Sequence, residues 1–416
     1  MPMEIDLGPQ AEKFRDELRQ WLEANRPEDL DPDAGERGAA AAAGGGPGAL
    51  ARLRRWTDKL HEAGYLCVSW PEEYGGRGLT GLEVAVMNEE FARAGVPRVT
   101  RGMGEWLVGP SIIVHGTDEQ KATFLPRIIS GKDRYCQGFS EPDAGSDLAS
   151  LKTRGVVDGD EVVITGQKVW TSGAQLANMM FCLCRTDPDA PKHQGISYVL
   201  VPMKTPEGEP NGIELRGLRQ ITGNSGFTET FLTEARAPLF NVIGGLHNGW
   251  RVTMTTLGNE RGGNATTQHV RYQRQFWRLV DEARKLGRSD DPLVRQRLAW
   301  AYTRVEIMRY AGLRTLSEVL NRKEPGPGAS INKMFWSEYA RDIGEWGMNL
   351  RGAHALIRPD GDGYALDRWQ SEFLGSRSGT IWGGTAQVQR NIVGERVLGL
   401  PKEPGHDDGR GDGEAA

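Results

Sequence analysis

Residues 135–172 read YCQGFSEPDAGSDLASLKTRGVVDGDEVVITGQKVWTS, and the pattern of the chain changes here. Val156-Val157 and Glu161 to Thr165 are short β-branched runs separated by Asp158-Gly159-Asp160, the composition of two strands and a tight turn. Met179 to Cys184 and Ile196 to Val201 are two further short runs read as strands, and the β-rich region closes near Pro238. The spacing predicts a small β-domain over residues 134–238.

Both flanks read as helical. On the N-terminal side, Ala11 to Asn25 carries Phe14, Leu18, Trp21 and Leu22 at helical spacing. Arg52 to Ala63 and Leu82 to Ala94 continue the pattern, with a turn at Trp70–Gly76 between them. Gly35–Gly48, GERGAAAAAGGGPG, offers no core anchor and is expected as a surface loop. On the C-terminal side, helices are expected over Phe276–Lys285, Val294–Asn321 and Asn332–Leu350, with a break at Pro325-Gly-Pro-Gly. The polar, Gly-rich tail after Pro401 is expected to be disordered. The organisation is therefore α, then β, then α.

Composition narrows the function. Lys plus Arg number 51 and Asp plus Glu 56, and the net charge of −5 argues against a general nucleic-acid binder. No apolar run reaches the roughly 20 residues that span a bilayer. The opening MPMEIDLGPQ has no apolar signal core, and four Cys make no disulfide framework, so a cytoplasmic location is expected. A GxGxxG turn opening a βαβ unit, a GxxxxGK[ST] loop, an HExxH pair and a GxSxG elbow are all absent from the sequence. The seven His are scattered, and no metal site is expected. Cys182 and Cys184 are placed on opposite sides of an expected strand and read as structural thiols.

Three segments carry chemistry together. They are QGFSEPDAGSD (137–147), GQKVWTS (166–172) and TIWGGTAQVQRN (380–391), in that order. With them the chain resembles the acyl-CoA dehydrogenase family over roughly residues 10–400. The resemblance implies an α+β chain. Its parts are an N-terminal α-helical domain (1–133), a central β-domain (134–238), a C-terminal four-helix-bundle domain (239–400) and a tail (401–416). It also implies oxidation of an acyl-CoA thioester between its α and β carbons to the trans-2-enoyl thioester. A carboxylate takes the α proton, and hydride passes from the β carbon to N5 of FAD.

Carried over position by position, the resemblance places Trp170 beside the isoalloxazine. It places Ser172 at the N5/O4 edge with Thr171 as neighbouring backbone, and Phe139 and Ser140 as strand residues under the pyrimidine side. Thr385 and Gln387 match contacts to the FAD ribose and diphosphate, and Ser146 matches a residue beside the pantetheine or acyl chain. Many members carry Glu directly before Gly-Thr in the third segment, whereas this chain has Gly383 there. A second subgroup has its base in a Glu-Arg pair on the first helix of the C-terminal domain, and Glu260-Arg261 matches it. Glu260 is thus the expected catalytic base and Arg261 a residue near the CoA end or active-site entrance. The Gly383 N–H is one oxyanion donor, with the flavin ribityl hydroxyl as the other.

Two positions depart from the family. Its Arg-x-x-Phe-Gly stretch, which reaches a neighbouring subunit's FAD, is represented by Leu286-Gly287, with Arg284 the nearest substitute and out of register. Met348 falls where a Gln often reaches the same FAD and cannot hydrogen-bond as Gln does. Subunit pairs resembling the actinobacterial sterol-degrading dehydrogenases depart at the same places. The expected assembly is a homo-oligomer, dimer or tetramer, with a hetero-oligomer as the alternative, and the expected electron acceptor is an electron-transfer flavoprotein. An oxygen-using acyl-CoA oxidase of the same fold is the other functional alternative. Gly258, Gly262 and Gly263 crowd Glu260, which fits either close helix packing or a widened pocket for a branched, cyclic or steroid-like acyl group.

Overall fold

The computed structural model describes residues 8–27, 30, 48–262, 268–320, 329–357 and 366–402. The expected loop at 35–48, apart from Gly48, the Pro325 break and the tail from residue 403 lie outside these. The described residues up to Arg271, with Leu366, form one compact unit, and those from Tyr272 onward form a second.

The first unit opens with helices α1 (Pro9–Asn25), α2 (Ala49–Glu62) and α3 (Gly81–Ala94). Phe14, Leu18 and Leu22 of α1 pack with Trp56 and Leu60 of α2 and Met87 and Phe91 of α3 into one buried cluster. Thr80 starts α3 with a capping box, its hydroxyl accepting from the Glu83 N–H while Glu83 reaches back. A π-turn (Gly104–Val108) leads into α4 (Gly109–His115) and α5 (Asp118–Ile129).

Eight strands follow: β1 (Tyr135–Gly138), β2 (Arg154–Asp158), β3 (Glu161–Ser172), β4 (Met179–Arg185), β5 (Ile196–Pro202), β6 (Ile213–Leu218), β7 (Phe227–Pro238) and β8 (Val242–Ile243). They form one sheet in the order β6-β7-β3-β2-β4-β5-β8, with β1 parallel to β4. Strands β4 and β5 are covered on both faces. Phe181, Leu183, Tyr198 and Leu200 join the helices α4 and α5 in one core. Met180, Cys182, Cys184, Val199 and Val201 join β7 in another. Cys182 and Cys184 therefore share one face. Residues two apart on a strand point the same way, which corrects the expectation of opposite sides. All four thiols are buried and free.

The start of β7 buries polar residues. Residues 227–234 read FTETFLTE, yet Thr228 and Thr230 are fully buried. Their hydroxyls are satisfied within the sheet, Thr228 donating to the Thr171 carbonyl at 3.3 Å and Thr230 to the Thr171 hydroxyl at 3.2 Å.

The unit closes with helix α6 (Gly249–Gly262), which seats against β5 and α4. Its first residue has no room for a side chain: a Cβ on Gly249 would lie 2.4 Å from the Ser197 carbonyl carbon and 2.5 Å from the Tyr198 nitrogen. Two hydroxyl contacts tie it to α4, Ser111 Oγ with Thr256 Oγ1 at 2.7 Å and His115 Nε2 with Thr255 Oγ1 at 2.8 Å.

The second unit contains most of α7 (Gln268–Lys285), with α8 (Pro292–Leu320), α9 (Ala329–Arg351), α10 (Arg368–Ser376) and α11 (Ala386–Ile392). Its core is aromatic, with Phe276, Tyr339 and Trp369 buried and Trp300 meeting Trp346 edge-on at 4.6 Å. Among the described residues, no helix is long and apolar enough to cross a membrane.

Two glycines of α6 should respond oppositely to alanine. Gly249→Ala overpacks the contact with β5 and should destabilise by about 1–3 kcal/mol. A Cβ on Gly258 meets no atom within 4 Å, so Gly258→Ala should stabilise by up to about 1 kcal/mol through helix propensity. Thermal unfolding of the two variants checks the sign of each; a Gly249→Ala melting point at or above wild type would overturn the seating.

Candidate active site

Strand β3 pairs with β7 as far as Lys168↔Thr230, with one register shift between Ile164 and Gly166, and pairing resumes at Thr171↔Thr228. Val169 and Trp170 thus oppose the single residue Glu229, a β-bulge. The bulge puts Trp170 at φ 60°, a conformation that bulky L-residues rarely adopt and that costs about 1–2 kcal/mol. It also turns the indole outward: Trp170 is 59% exposed, its ring resting edge-on against Phe227 at 6.1 Å. Beyond the bulge Thr171 points inward and is fully buried, while Ser172 is half-buried. What Thr171 offers at this surface is its backbone.

The bulge is tied to the segment that follows β1. Val169 N–H donates to the Ser140 carbonyl at 2.9 Å. The Lys168 ammonium is fully buried and donates to the Phe139 carbonyl at 3.0 Å and to Glu141 Oε1 at 2.9 Å. Glu141 also accepts from the backbone N–H of Lys152 at 2.7 Å and of Thr153 at 2.8 Å. Burial pushes the Glu141 carboxyl up, but the Lys168 charge and these hydrogen bonds outweigh it and hold it below the usual range.

Phe139 and Ser140 lie just past β1, and the Phe139 ring is buried edge-on against Phe181 at 5.3 Å. Phe139 therefore presents backbone here, not its ring. In a trans peptide the carbonyl and the next N–H point in opposite directions. With the Phe139 oxygen drawn inward to Lys168, the Ser140 N–H faces away from the interior, and among the described residues it has no partner. Trp170 thus points outward, Ser140 and Ser172 are half-buried, and the Ser140 carbonyl is bonded to the bulge through the Val169 N–H.

The other candidates lie elsewhere. Ser146 is exposed on the next loop, beside Asp147, which pairs with Lys192 at 2.6 Å and accepts from Ser150 Oγ at 2.6 Å. Those two hydrogen bonds hold the Asp147 carboxyl below its ordinary value. Glu260 and Arg261 occupy the last turn of α6; their side chains lie outside the described residues. Position 260 is one turn beyond Thr256, which is anchored to α4.

Gly383, Thr385 and Gln387 belong to the second unit. Gly383 has φ 63°, its carbonyl accepts from Gln389 Nε2 at 3.1 Å, and its N–H has no partner among the described residues. Gln389 packs so closely that a Cβ on Gly384 would sit 2.4 Å from its Nε2. Thr385 caps α11, its hydroxyl accepting from the Val388 N–H at 3.2 Å, and Gln387 is exposed. Trp382, 5.4 Å from Trp336, leads into this turn. At the departures from the family pattern, Arg284 is exposed and paired with Asp281 at 3.1 Å, while Met348 packs against the aromatic core. Among the described residues, no group of His, Cys, Asp and Glu could hold a metal ion.

Sequence reasoning passed over Lys168 and Glu141, although both stand inside quoted motifs. The signal was parity: Val162, Ile164 and Lys168 fall on alternate inward positions of β3, and a Lys there requires a carboxylate.

The lowered Glu141 value has a pH consequence. A carboxyl whose folded value lies below its unfolded one, near 4.3 for Glu, adds stability above that pH and loses it as pH falls through the folded value. Glu141→Gln should therefore be less stable than wild type at pH 7, with the gap narrowing below about pH 4. Denaturant unfolding at both pH values measures it; a gap independent of pH would remove the charge from the account.

Three family models match the chain in succession: the acyl-CoA dehydrogenase N-terminal domain over residues 9–132, the middle domain over 136–235 and the C-terminal domain over 247–398. The sequence is 43% identical over 397 residues to acyl-CoA dehydrogenase IpdE1 of Mycobacterium tuberculosis, covering 94% of this chain and 98% of that protein. Among solved structures, the Tcur3481-Tcur3483 steroid ACAD matches with TM-score 0.80 at 34% identity, over 96% of this chain and 100% of that one. The ChsE4-ChsE5 complex from Mycobacterium tuberculosis matches with TM-score 0.77 at 30% identity, over 97% and 100%. Family members are flavoproteins acting on acyl-CoA thioesters, which implies FAD and an acyl-CoA substrate here. The α+β chain, with its helical N-terminal, middle and C-terminal domains, belongs to the acyl-CoA dehydrogenase family of oxidoreductases.

Proposed function

We propose that this protein oxidises an acyl-CoA thioester between its α and β carbons, forming the trans-2-enoyl thioester. The observation that carries the reading is the surface around the β3 bulge. A flavin ring needs a plate to pack against and hydrogen-bond donors along its heteroatom edge. The outward Trp170 ring, the Ser140 N–H, unpartnered among the described residues, and the Ser140 and Ser172 hydroxyls have that chemistry. Thr385 and Gln387 would hold the ribose and diphosphate part. When bound, FAD supplies the acceptor for the hydride that leaves the β carbon.

The chain supplies the proton transfer. Glu260 takes the α proton as general base. The backbone at the family's commoner base position supports this assignment. Gly383 has φ 63°, which glycine adopts at no steric cost and a Glu would not. The Gly383 N–H, without a partner among the described residues, would donate to the thioester carbonyl, where negative charge gathers as the α proton leaves, and that role needs no side chain. Ser146 lies along the pantetheine or acyl chain, and Arg261 near the entrance.

For the acyl group we infer a bulky, steroid-type skeleton. Space beside Gly258 supports it: a Cβ there would touch nothing among the described residues, so close packing against them is not what requires glycine at that position. The likeness to a protein named a steroid ACAD supports it independently. Electrons would pass to an electron-transfer flavoprotein. A second reading, one subunit of a hetero-oligomer, is favoured by the two-component names of both solved relatives, by Arg284 standing out of the family's register and by Met348, which cannot hydrogen-bond as Gln does.

Anaerobic titration of the purified protein with a panel of acyl-CoAs tests the function, since the flavin absorbance should bleach with bulky cyclic thioesters. Glu260→Gln should keep the bound yellow flavin and slow its bleaching by about 10²–10⁴-fold; bleaching at the wild-type rate would remove Glu260 from the mechanism. Trp170→Gly should relieve the positive-φ strain, leaving FAD-free stability within about 1 kcal/mol of wild type. The same variant should weaken FAD binding, read as the dissociation constant from flavin fluorescence. Unchanged affinity would separate Trp170 from the flavin.

A further inference from the structure

We propose that Lys168, with Glu141 as its counter-ion, is a positioning residue for the flavin-facing surface: it fixes the Phe139–Ser140 backbone and the Trp170 bulge in one geometry. The inference rests on the flavin reading above and concerns residues that do not themselves face the cofactor.

The connectivity makes the case. Lys168 is the last regularly paired residue before the bulge, so its backbone sets where the bulge begins. Its ammonium crosses to the other segment and takes the Phe139 carbonyl at 3.0 Å. The next residue returns the link, Val169 N–H to the Ser140 carbonyl at 2.9 Å. Two successive residues of β3 are thus bonded to two successive carbonyls after β1. A strained, outward Trp170 persists only where the surroundings over-determine it, and this double link does so.

The Lys168 bond also has a direction that an apolar residue cannot reproduce. A methionine would fill the space but would leave the Phe139 carbonyl without its donor. That peptide could then rotate, and the Ser140 N–H would lose its outward aim. Glu141 confines the effect. Its carboxylate keeps the Lys152 and Thr153 N–H bonds when Lys168 is replaced, so the 151–153 backbone stays anchored. The expected lesion is local to residues 139–141 and 168–172.

The test compares wild type, Lys168→Met, Glu141→Gln and a control, Arg127→Ala. Arg127 holds the buried Asp133 at 2.7 Å, ahead of β1, so the control loses stability without touching the double link. Each protein is freed of flavin, its melting point and amide hydrogen exchange are measured, and FAD is titrated back well below the melting point. Lys168→Met should bind FAD about tenfold or more weakly, with faster exchange in 139–141 and 168–172 and an altered visible circular dichroism band. Glu141→Gln should move the same way by less, and Arg127→Ala should bind FAD as wild type. Lys168→Met with wild-type affinity and an unaltered band would reduce the pair to a structural role and overturn the proposal. If Lys168→Met does not fold, Glu141→Gln decides by the same two readings. A wild-type protein that takes up no FAD would overturn the flavin reading itself, and is seen before any variant is made.

Discussion

A lysine ammonium buried in a sheet is the constraint around which the first unit is arranged. Removing such a charge from water costs several kcal/mol, roughly, and the Coulombic return depends on good geometry and full hydrogen bonding. Here both conditions hold, because Lys168 meets Glu141 and Phe139, and Glu141 meets two further backbone donors. Apolar residues of similar volume would stabilise the sheet as well or better. The pair is best understood by what it arranges. It joins a loop after β1 to a bulge in β3, which are distant in sequence, and from that junction Trp170 is held outward.

The same principle, polar contact used for placement, recurs at α6. Ser111, His115, Thr255 and Thr256 dock it to α4 through hydroxyl and imidazole bonds where leucines would supply more hydrophobic burial. Hydrogen bonds add less to stability than their number suggests, but they have direction, and sliding α6 by even part of a turn would break both. Gly249 adds a steric stop at the other end, with β5 backbone in the space a side chain would need. A helix whose last turn carries the proposed base is thereby fixed in depth and in rotation.

Much of this was legible in the sequence, for reasons that differ by element. The α1, α2 and α3 helices follow from apolar spacing, since each has one buried stripe. Strands β4 and β5 follow from short, nearly continuous apolar runs, because both faces are covered. The start of β7 was not legible, because its inward residues there are Thr228 and Thr230, which are buried with their hydroxyls bonded to one another and to Thr171. The Trp170-Thr171-Ser172 motif was legible as a motif, but its geometry was not. A β-bulge leaves no composition signal, and an unbulged strand would have put Trp170 on the same side as Lys168. Phe139 shows the converse, a motif residue whose ring is committed to the core while its carbonyl faces the lysine.

At Gly383 a backbone conformation limits which side chains the turn can carry. A turn that runs through φ 63° and then φ 85° at consecutive residues is a glycine turn, and Gln389 closes it by bonding to the first carbonyl and filling the space beside the second Cα. A carboxylate residue in the first place would bear the left-handed strain, and any side chain in the second would displace Gln389. Such a turn can still present an N–H, because a peptide hydrogen bond asks nothing of the side chain. The acid–base function is then free to come from another element, and a carboxylate on a rigidly docked helix such as α6 needs only the correct register. Proton abstraction and carbonyl polarisation are separable demands, one on a side chain and one on a backbone amide, and under the proposed function they fall at different places in this chain.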